Sequence, residues 1–447
     1  FIEDVNGNQT AYKYDIRQRV TNVYLDADED GVIDTTEASV LYLYAQNRLA
    51  GIKTATTEYS LNYDAFGNLR SIWAGGNTLA TYEYAERNGK LTKLTYGNGD
   101  YEQYTYDHLD RLVKVVYNGN ASSGYELFYD ANGRLYKTVD HQAGLTHFYE
   151  YDSLNRLIFA WQKNSSGNII LEVQNAYDEL GRAKGSTYVI GDTTQTYGIT
   201  YEDITGLVQN YTAPHNSFTY FYDEFDRLER KLGTAHAIDY TYVAGSRRIA
   251  SYTIARMNNA STTYSYTYDA LGNITSVKKN GTTISNYEYD KLGRLIREDD
   301  CTNGVSWVYT YDNAGNLLKK YTFYGMSGVP ASHLLSIHPY NGSEISSTYT
   351  YGSSAWGDLL TGYNGTEIEY DAIGNPLNWH NAASMLWDGR KLTYFSEDAL
   401  DHGIAFAYNS DGIRTKKTLY DYDGSTITHN YILDGSTILK ETITSGS

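Results

Sequence analysis

One short string returns along this chain: Tyr-Asp, three variable residues, Arg or Asn, then an apolar residue. It stands as YDIRQRV at Tyr14, YDAFGNL at Tyr63, YDHLDRL at Tyr106, YDANGRL at Tyr129, YDSLNRL at Tyr151, YDELGRA at Tyr177 and YDEFDRL at Tyr222. It continues as YDALGNI at Tyr268, YDKLGRL at Tyr289, YDNAGNL at Tyr311 and YDAIGNP at Tyr370, with degenerate copies at Tyr84, Tyr201, Tyr242 and Tyr408. A spacing of mostly about 20 to 26 residues marks an array in which each unit is one supersecondary element.

Each unit reads as strand, tight turn, strand. Tyrosines two residues apart ahead of the Asp, as at Tyr104/Tyr106, Tyr149/Tyr151, Tyr220/Tyr222, Tyr287/Tyr289 and Tyr309/Tyr311, share one strand face. The Asp is placed to accept from turn amides two residues on, and the frequent Gly supplies the positive φ before Arg or Asn leads into the next strand. The residues that carry this pattern are Tyr63 and Asp64; Tyr106, Asp107 and Arg111; Tyr129, Asp130 and Arg134; Tyr151, Asp152 and Arg156; Tyr222, Asp223 and Arg227; and Tyr289, Asp290 and Arg294. Only about ten residues then remain per unit, enough for one more strand and a turn but hardly for a helix.

A two-stranded unit cannot bury its faces alone, so successive hairpins are expected to pair edge to edge into a twisting ribbon that coils into a spiral. Repeated Tyr rings would stack in ladders, with Arg lying over neighbouring rings or pairing with the recurrent Asp. The expectation is one all-β domain over residues 1–447, with a loop insertion at 26–37. The interval from Tyr321 to about Tyr349 is wider than the rest and reads as a loop excursion or a displaced strand pair.

Composition fits this reading. There are 48 Tyr against 11 Phe, and 40 Gly against 4 Pro, which suits half-wet sheets better than a dry core. A net charge of −18 without a basic cluster argues against nucleic acid, and no apolar stretch is long enough for a membrane-spanning helix. The single Cys301 excludes an intramolecular disulfide and reads as an ordinary strand residue. The chain begins FIEDVNGN without a Met, as a processed product or an excised fragment would.

The insertion, DADEDGVIDTTE from Asp26 to Glu37, matches a 12-residue calcium loop in register. Asp26, Asp28 and Asp30 would supply carboxylates, Val32 a backbone carbonyl, Asp34 a water-mediated contact and Glu37 a bidentate carboxylate, with Gly31 making the sharp turn. The flanks VTNVYL and ASVLYLY favour strands over the helices of an EF-hand, so the expected site is one structural Ca2+ loop at a hairpin tip.

These tandem motifs make the chain resemble the RHS or YD-repeat proteins over nearly its whole length. YTYGSSAWGDLLTGYNGTEIEYDAIGNPLNW, LWDGRKL and YILDGSTILKE in the last third resemble bacterial members beyond the repeat. The resemblance implies a continuous β-ribbon wound into a hollow shell, which in bacterial toxins and toxin-complex cocoons encloses a C-terminal toxic domain and in teneurins serves adhesion. It also implies an Asp-Pro cleavage signature in self-cleaving members, whereas none of the four prolines here follows an Asp. The plug and any payload are therefore expected to lie outside this sequence.

No zinc-protease, nucleophile-elbow, phosphate-loop or dinucleotide motif is present, and the repeated acids already have turn-forming positions, so no catalytic residue is expected. Carbohydrate binding by Tyr and Trp faces, with Trp161, Trp307, Trp356, Trp379 and Trp387 as platforms, competes with ladder packing of the same rings. The reading is a secreted or cell-surface structural protein, a shell or scaffold that encapsulates or displays a partner such as a toxin domain. The alternatives are adhesion, glycan binding, or a filament self-associating through ribbon edges.

Overall fold

The structure, a computed structural model, describes residues 2–3, 9–26, 39–256, 260–325, 329, 331–337, 345–352, 356–379, 384–396 and 402–446. Its architecture is all-β, and within each of its two sheets strands that follow each other in the chain pair antiparallel. Tyr101–Tyr106 pairs with Leu112–Tyr117, which pairs with Asn120–Tyr129, then Leu135–Asp140, Leu145–Tyr151, Leu157–Lys163 and Ile169–Tyr177.

A register shift falls at the motif Tyr itself, between Thr105 and Tyr106, Phe128 and Tyr129, Glu150 and Tyr151, Phe221 and Tyr222, and Glu288 and Tyr289. Its cause is the residue three after the Asp, which takes positive φ: 80° at Gly133 and 74° at Gly293. Where Gly is missing, residues tolerant of that region replace it, with φ of 61° at Asp110, 63° at Asn155 and 58° at Asp226. A tight turn followed by a left-handed residue adds one residue to one strand, which is a bulged hairpin. Alternate turns of an antiparallel meander fall on opposite edges, so the Tyr-Asp turns share one edge, here the motif edge. The intervening turns form the return edge.

The chain divides into two compact units. The first comprises Phe1–Ser60, Leu207–Asn210 and Asn216–Glu367, and the second Leu61–Gly206, Tyr211–His215 and Ile368–Ser447. In the first, the core gathers Val308, Tyr321 and Phe323 beneath Ala331 and Leu334 of a short helix, Ala331–Ile337. This helix departs from the loop or displaced strand pair expected at 321–349. Leu317–Tyr324 and Ile345–Tyr351 still pair directly, Lys319 opposite Thr348, and the helix is inserted at their tip. Apolar residues at 331, 334 and 335 give it one packing face. In the second unit, Leu171, Val173 and Ile190 pack with Ile432 and Leu439 of a separate six-stranded sheet running from Ser384–Asp388 to Thr437–Gly446.

Candidate functional site

The recurrent residues converge on one construction, repeated along the ribbon. In each copy the Asp Oδ1 accepts two backbone amides: at Asp107 those of Leu109 (2.9 Å) and Arg111 (3.0 Å), at Asp130 those of Asn132 and Arg134 (both 2.9 Å). Asp152, Asp223 and Asp290 repeat this with Leu154 and Arg156, Phe225 and Arg227, and Leu292 and Arg294. Oδ2 then takes the Arg Nε at 2.7 Å in Arg111, Arg134, Arg156 and Arg227 and at 2.6 Å in Arg294. At Asp64 the amide of Asn68 replaces the guanidinium, Nδ2 to Oδ2 3.0 Å, which explains why Arg and Asn alternate at that position. One carboxylate thus closes the turn and fixes the first side chain beyond it.

These bonds hold the carboxyls of Asp15, Asp64, Asp107, Asp130, Asp152 and Asp223 below the usual carboxylate range. At Asp130 the amide and then the guanidinium of Arg134 do so, and at Asp15 the guanidinium of Arg19. At Asp107 and Asp223 partial burial pulls upward but is outweighed by the amide and guanidinium of the following Arg.

From Tyr106 to Tyr311 the motif Tyr reaches back one unit. Its hydroxyl donates to the carbonyl of the apolar residue that follows the previous turn: Tyr106 to Leu91 (2.9 Å), Tyr129 to Leu112 (2.9 Å), Tyr151 to Leu135 (2.8 Å), Tyr222 to Val208 (2.8 Å) and Tyr289 to Ile274 (2.9 Å). Over the same ring lies the previous guanidinium, Arg111 4.5 Å from the Tyr129 centroid, Arg134 5.3 Å from Tyr151, and Arg156 4.7 Å from Tyr177. Arg227 and Arg294 cover Tyr242 and Tyr311 likewise, at 4.5 and 4.8 Å. The expected alternatives for Arg, ring or Asp, are therefore satisfied together. Tyr63 ends the strand Glu58–Tyr63.

Ring stacking falls to other aromatics: Tyr252 on Tyr264 at 5.2 Å, and Phe148 on Trp161 at 4.9 Å and 8°. Of the further Trp platforms, Trp307 lies beneath Lys320 (5.0 Å) and the Trp387 indole donates to Pro376 O (2.7 Å), both ordinary packing positions. Trp379 is half-exposed, and Trp356 forms an isolated bridge with Thr57.

Sequence reasoning missed the polar groups that join distant stretches within each unit. In the second, motif-edge turns of the Ser384–Gly446 sheet seat on the return edge of the earlier ribbon. Gly389 N donates to Asp100 (2.7 Å), Ser410 N to the buried Asp140 (2.7 Å), Gln162 Nε2 to Leu433 O (2.9 Å) and Tyr188 to Asp434 (3.0 Å). Beside Asp100, Glu102 accepts from Tyr96 (3.0 Å) and Tyr104 (2.6 Å), and burial together with that carboxylate pushes both phenols up. Burial also raises Asp388, opposed by Lys391 and reinforced by Asp100 and Glu102. In the first unit the same edges meet: Asp358 accepts from Thr57 (2.7 Å) and Tyr59 (2.9 Å), and Gly357 N donates to Thr56 O (3.1 Å). Elsewhere in that unit, fully buried Arg297 pairs with Asp299 (2.9 Å) and reaches Glu288 (3.6 Å), which accepts from the first amide of the helix.

Of the residues expected to bind calcium, Asp28, Asp30, Val32, Asp34 and Glu37 lie outside the described residues. Asp26 is described through its backbone alone, as the last residue of Val20–Asp26. That strand pairs with Ser39–Ala45, Tyr24 opposite Ser39, so strands rather than helices flank the loop.

Tandem bulged hairpins, each fastened to the one before, define a YD-type β-ribbon protein. A family model described as RHS Repeat matches residues 289–325, which span two complete Tyr-Asp turns. The tRNA3(Ser)-specific nuclease WapA of Bacillus spizizenii is 26% identical over 325 residues, 66% of this chain and 13% of that protein. Human Teneurin-1 is 27% identical over 166 residues, 35% of this chain and 6% of its own. The crystal structure of TcdB2-TccC3 without its hypervariable C-terminal region superposes with a TM-score of 0.64 at 14% identity, covering 95% of this chain and 26% of that one. The chain thus carries an RHS repeat and shares the tandem YD-repeat pattern over most of its length, and it spans a small part of the relatives it matches.

Proposed function

We propose that this chain is a wall segment of an extracellular RHS-type shell, non-catalytic itself, that encloses a toxin or other partner domain. The observation that carries the reading is the fastening of each hairpin to its predecessor through Tyr hydroxyl, Arg and Asp. Such a sheet can be lengthened unit by unit without a new core, which suits a wall. The likeness to TcdB2-TccC3 and to WapA nucleases supports a toxin as the partner class.

Within this reading Asp26, Asp28, Asp30, Val32, Asp34 and Glu37 hold Ca2+ and order one hairpin tip. The test is a fusion carrying a protease-sensitive domain after Ser447. Enclosure predicts that the domain survives a protease dose that clears it when free. Digestion at the free rate, with the ribbon intact, would overturn enclosure.

A further inference from the structure

At several motif-edge turns of the second unit, the residue two after the acid is a large apolar side chain standing in solvent. Phe66 is 87%, Leu109 60%, Leu154 70%, Leu180 78% and Ile204 98% exposed. The turn itself does not need them: Asn132 holds the same position in the Tyr129 copy and donates the same amide bond to Asp130 at 2.9 Å. A recurrent apolar row along one edge is a feature that monomers rarely leave bare.

Ile373 reveals what such a position accepts. Its amide donates to Asp371 Oδ1 at 3.0 Å, as that of Leu109 does to Asp107, yet it is only 2% exposed. What it meets is the return edge of another stretch of ribbon: a methyl placed on Gly97 would lie 3.1 Å from Ile373 Cγ2, and Asn98 Nδ2 donates to Asp371 Oδ2 at 3.1 Å. The contacts of Asp100, Asp140 and Asp358 follow the same rule, motif edge on return edge, in both units. The Ser384–Gly446 sheet presents a return edge of its own, where Tyr422 is 62% exposed.

We propose that Phe66, Leu109, Leu154, Leu180 and Ile204 form an association surface whose occupant is the return edge of a second copy of this chain. Each copy carries both edges, so the contact is heterologous and propagates head to tail. The net charge of −18 opposes it, and salt therefore strengthens it. The inference does not depend on enclosure, since edge stacking is tested without any payload.

Sedimentation velocity of the purified full chain over a concentration series, at low salt and at about 0.5 M salt, tests it. The wild type is expected to grow past the dimer with concentration, more readily in salt. Leu109→Asp/Leu154→Asp/Leu180→Asp should raise the apparent dissociation constant at least about a hundredfold, as the loss of several buried leucines requires. Tyr422→Asp, which also gives up the stack of that ring on His402 at 4.5 Å, should weaken association as well, and circular dichroism should show both variants folded. A mixture of the two variants should form dimers that grow no further, because one intact edge of each kind remains. A wild type monomeric throughout, association untouched by the triple variant, or a mixture that stays monomeric would each overturn the proposal.

Discussion

Removing one hydroxyl, in Tyr129→Phe, isolates the backward fastening. The Tyr129 hydroxyl donates to Leu112 O at 2.9 Å, while the ring stays under Arg111 at 4.5 Å from its centroid. A neutral hydrogen bond at a half-buried site is worth about 1 kcal/mol, or about a fivefold change in the local opening equilibrium. Tyr129→Leu also removes the ring and should cost about 0.5–1 kcal/mol more from the lost cation–ring contact alone. That increment should vanish when Arg111→Met is already present, which makes a double-mutant cycle. Hydrogen exchange read by mass spectrometry is the suitable assay, because a long repeat array need not unfold in one step. Protection should fall in Leu112–Tyr117, Asn120–Tyr129 and Leu135–Asp140, while Leu228–Gly233 and His236–Tyr242 keep wild-type protection. Equal loss at both places, or none at either, would refute nearest-neighbour fastening.

Four further outcomes can be measured, three from the geometry and one from the sequence. The motif carboxyls Asp15, Asp107, Asp130, Asp152 and Asp223 sit below their unfolded values, so their contribution is full above the ordinary carboxylate pKa of about 4 and is lost as pH falls beneath it. Asp388 has the opposite sign: its raised pKa means that the contact at Gly389 weakens as pH rises through and above that range, readable as protection factors in Ser384–Asp388 at several pH values. Arg297→Ala leaves Asp299 buried without its guanidinium and should destabilise the first unit locally by about 3–5 kcal/mol, measured as increased proteolysis of strands Leu295–Asp300 and Val305–Tyr311. Isothermal titration should show calcium binding to the wild type and its loss in Asp28→Ala; equal heats from both would remove the calcium loop from the account.

The repeated turn was legible because its chemistry is local. An acid, a left-handed residue and an Arg or Asn within one loop define their own hydrogen bonds, and the tandem copies multiply a weak signal. The role of Tyr was half legible: its strand face could be read, but its hydroxyl bond to the previous unit depends on the pairing register that the bulge sets. Asp100, Asp140 and Asp358 were not legible, because their partners lie hundreds of residues away and meet only when one stretch of ribbon seats on another. Helix Ala331–Ile337 is too short to outweigh the surrounding strand pattern, and Leu334 finds its place only against Val308, Tyr321 and Phe323.

Cryo-electron microscopy of the purified chain in calcium tests the central claim most directly. An antiparallel ribbon bulged at its Tyr-Asp turns is expected, followed by a separate Ser384–Gly446 sheet whose Gly389 and Ser410 turns rest on Asp100 and Asp140. Hairpins separated from their chain neighbours, or a Ser384–Gly446 sheet detached from those two acids, would contradict it.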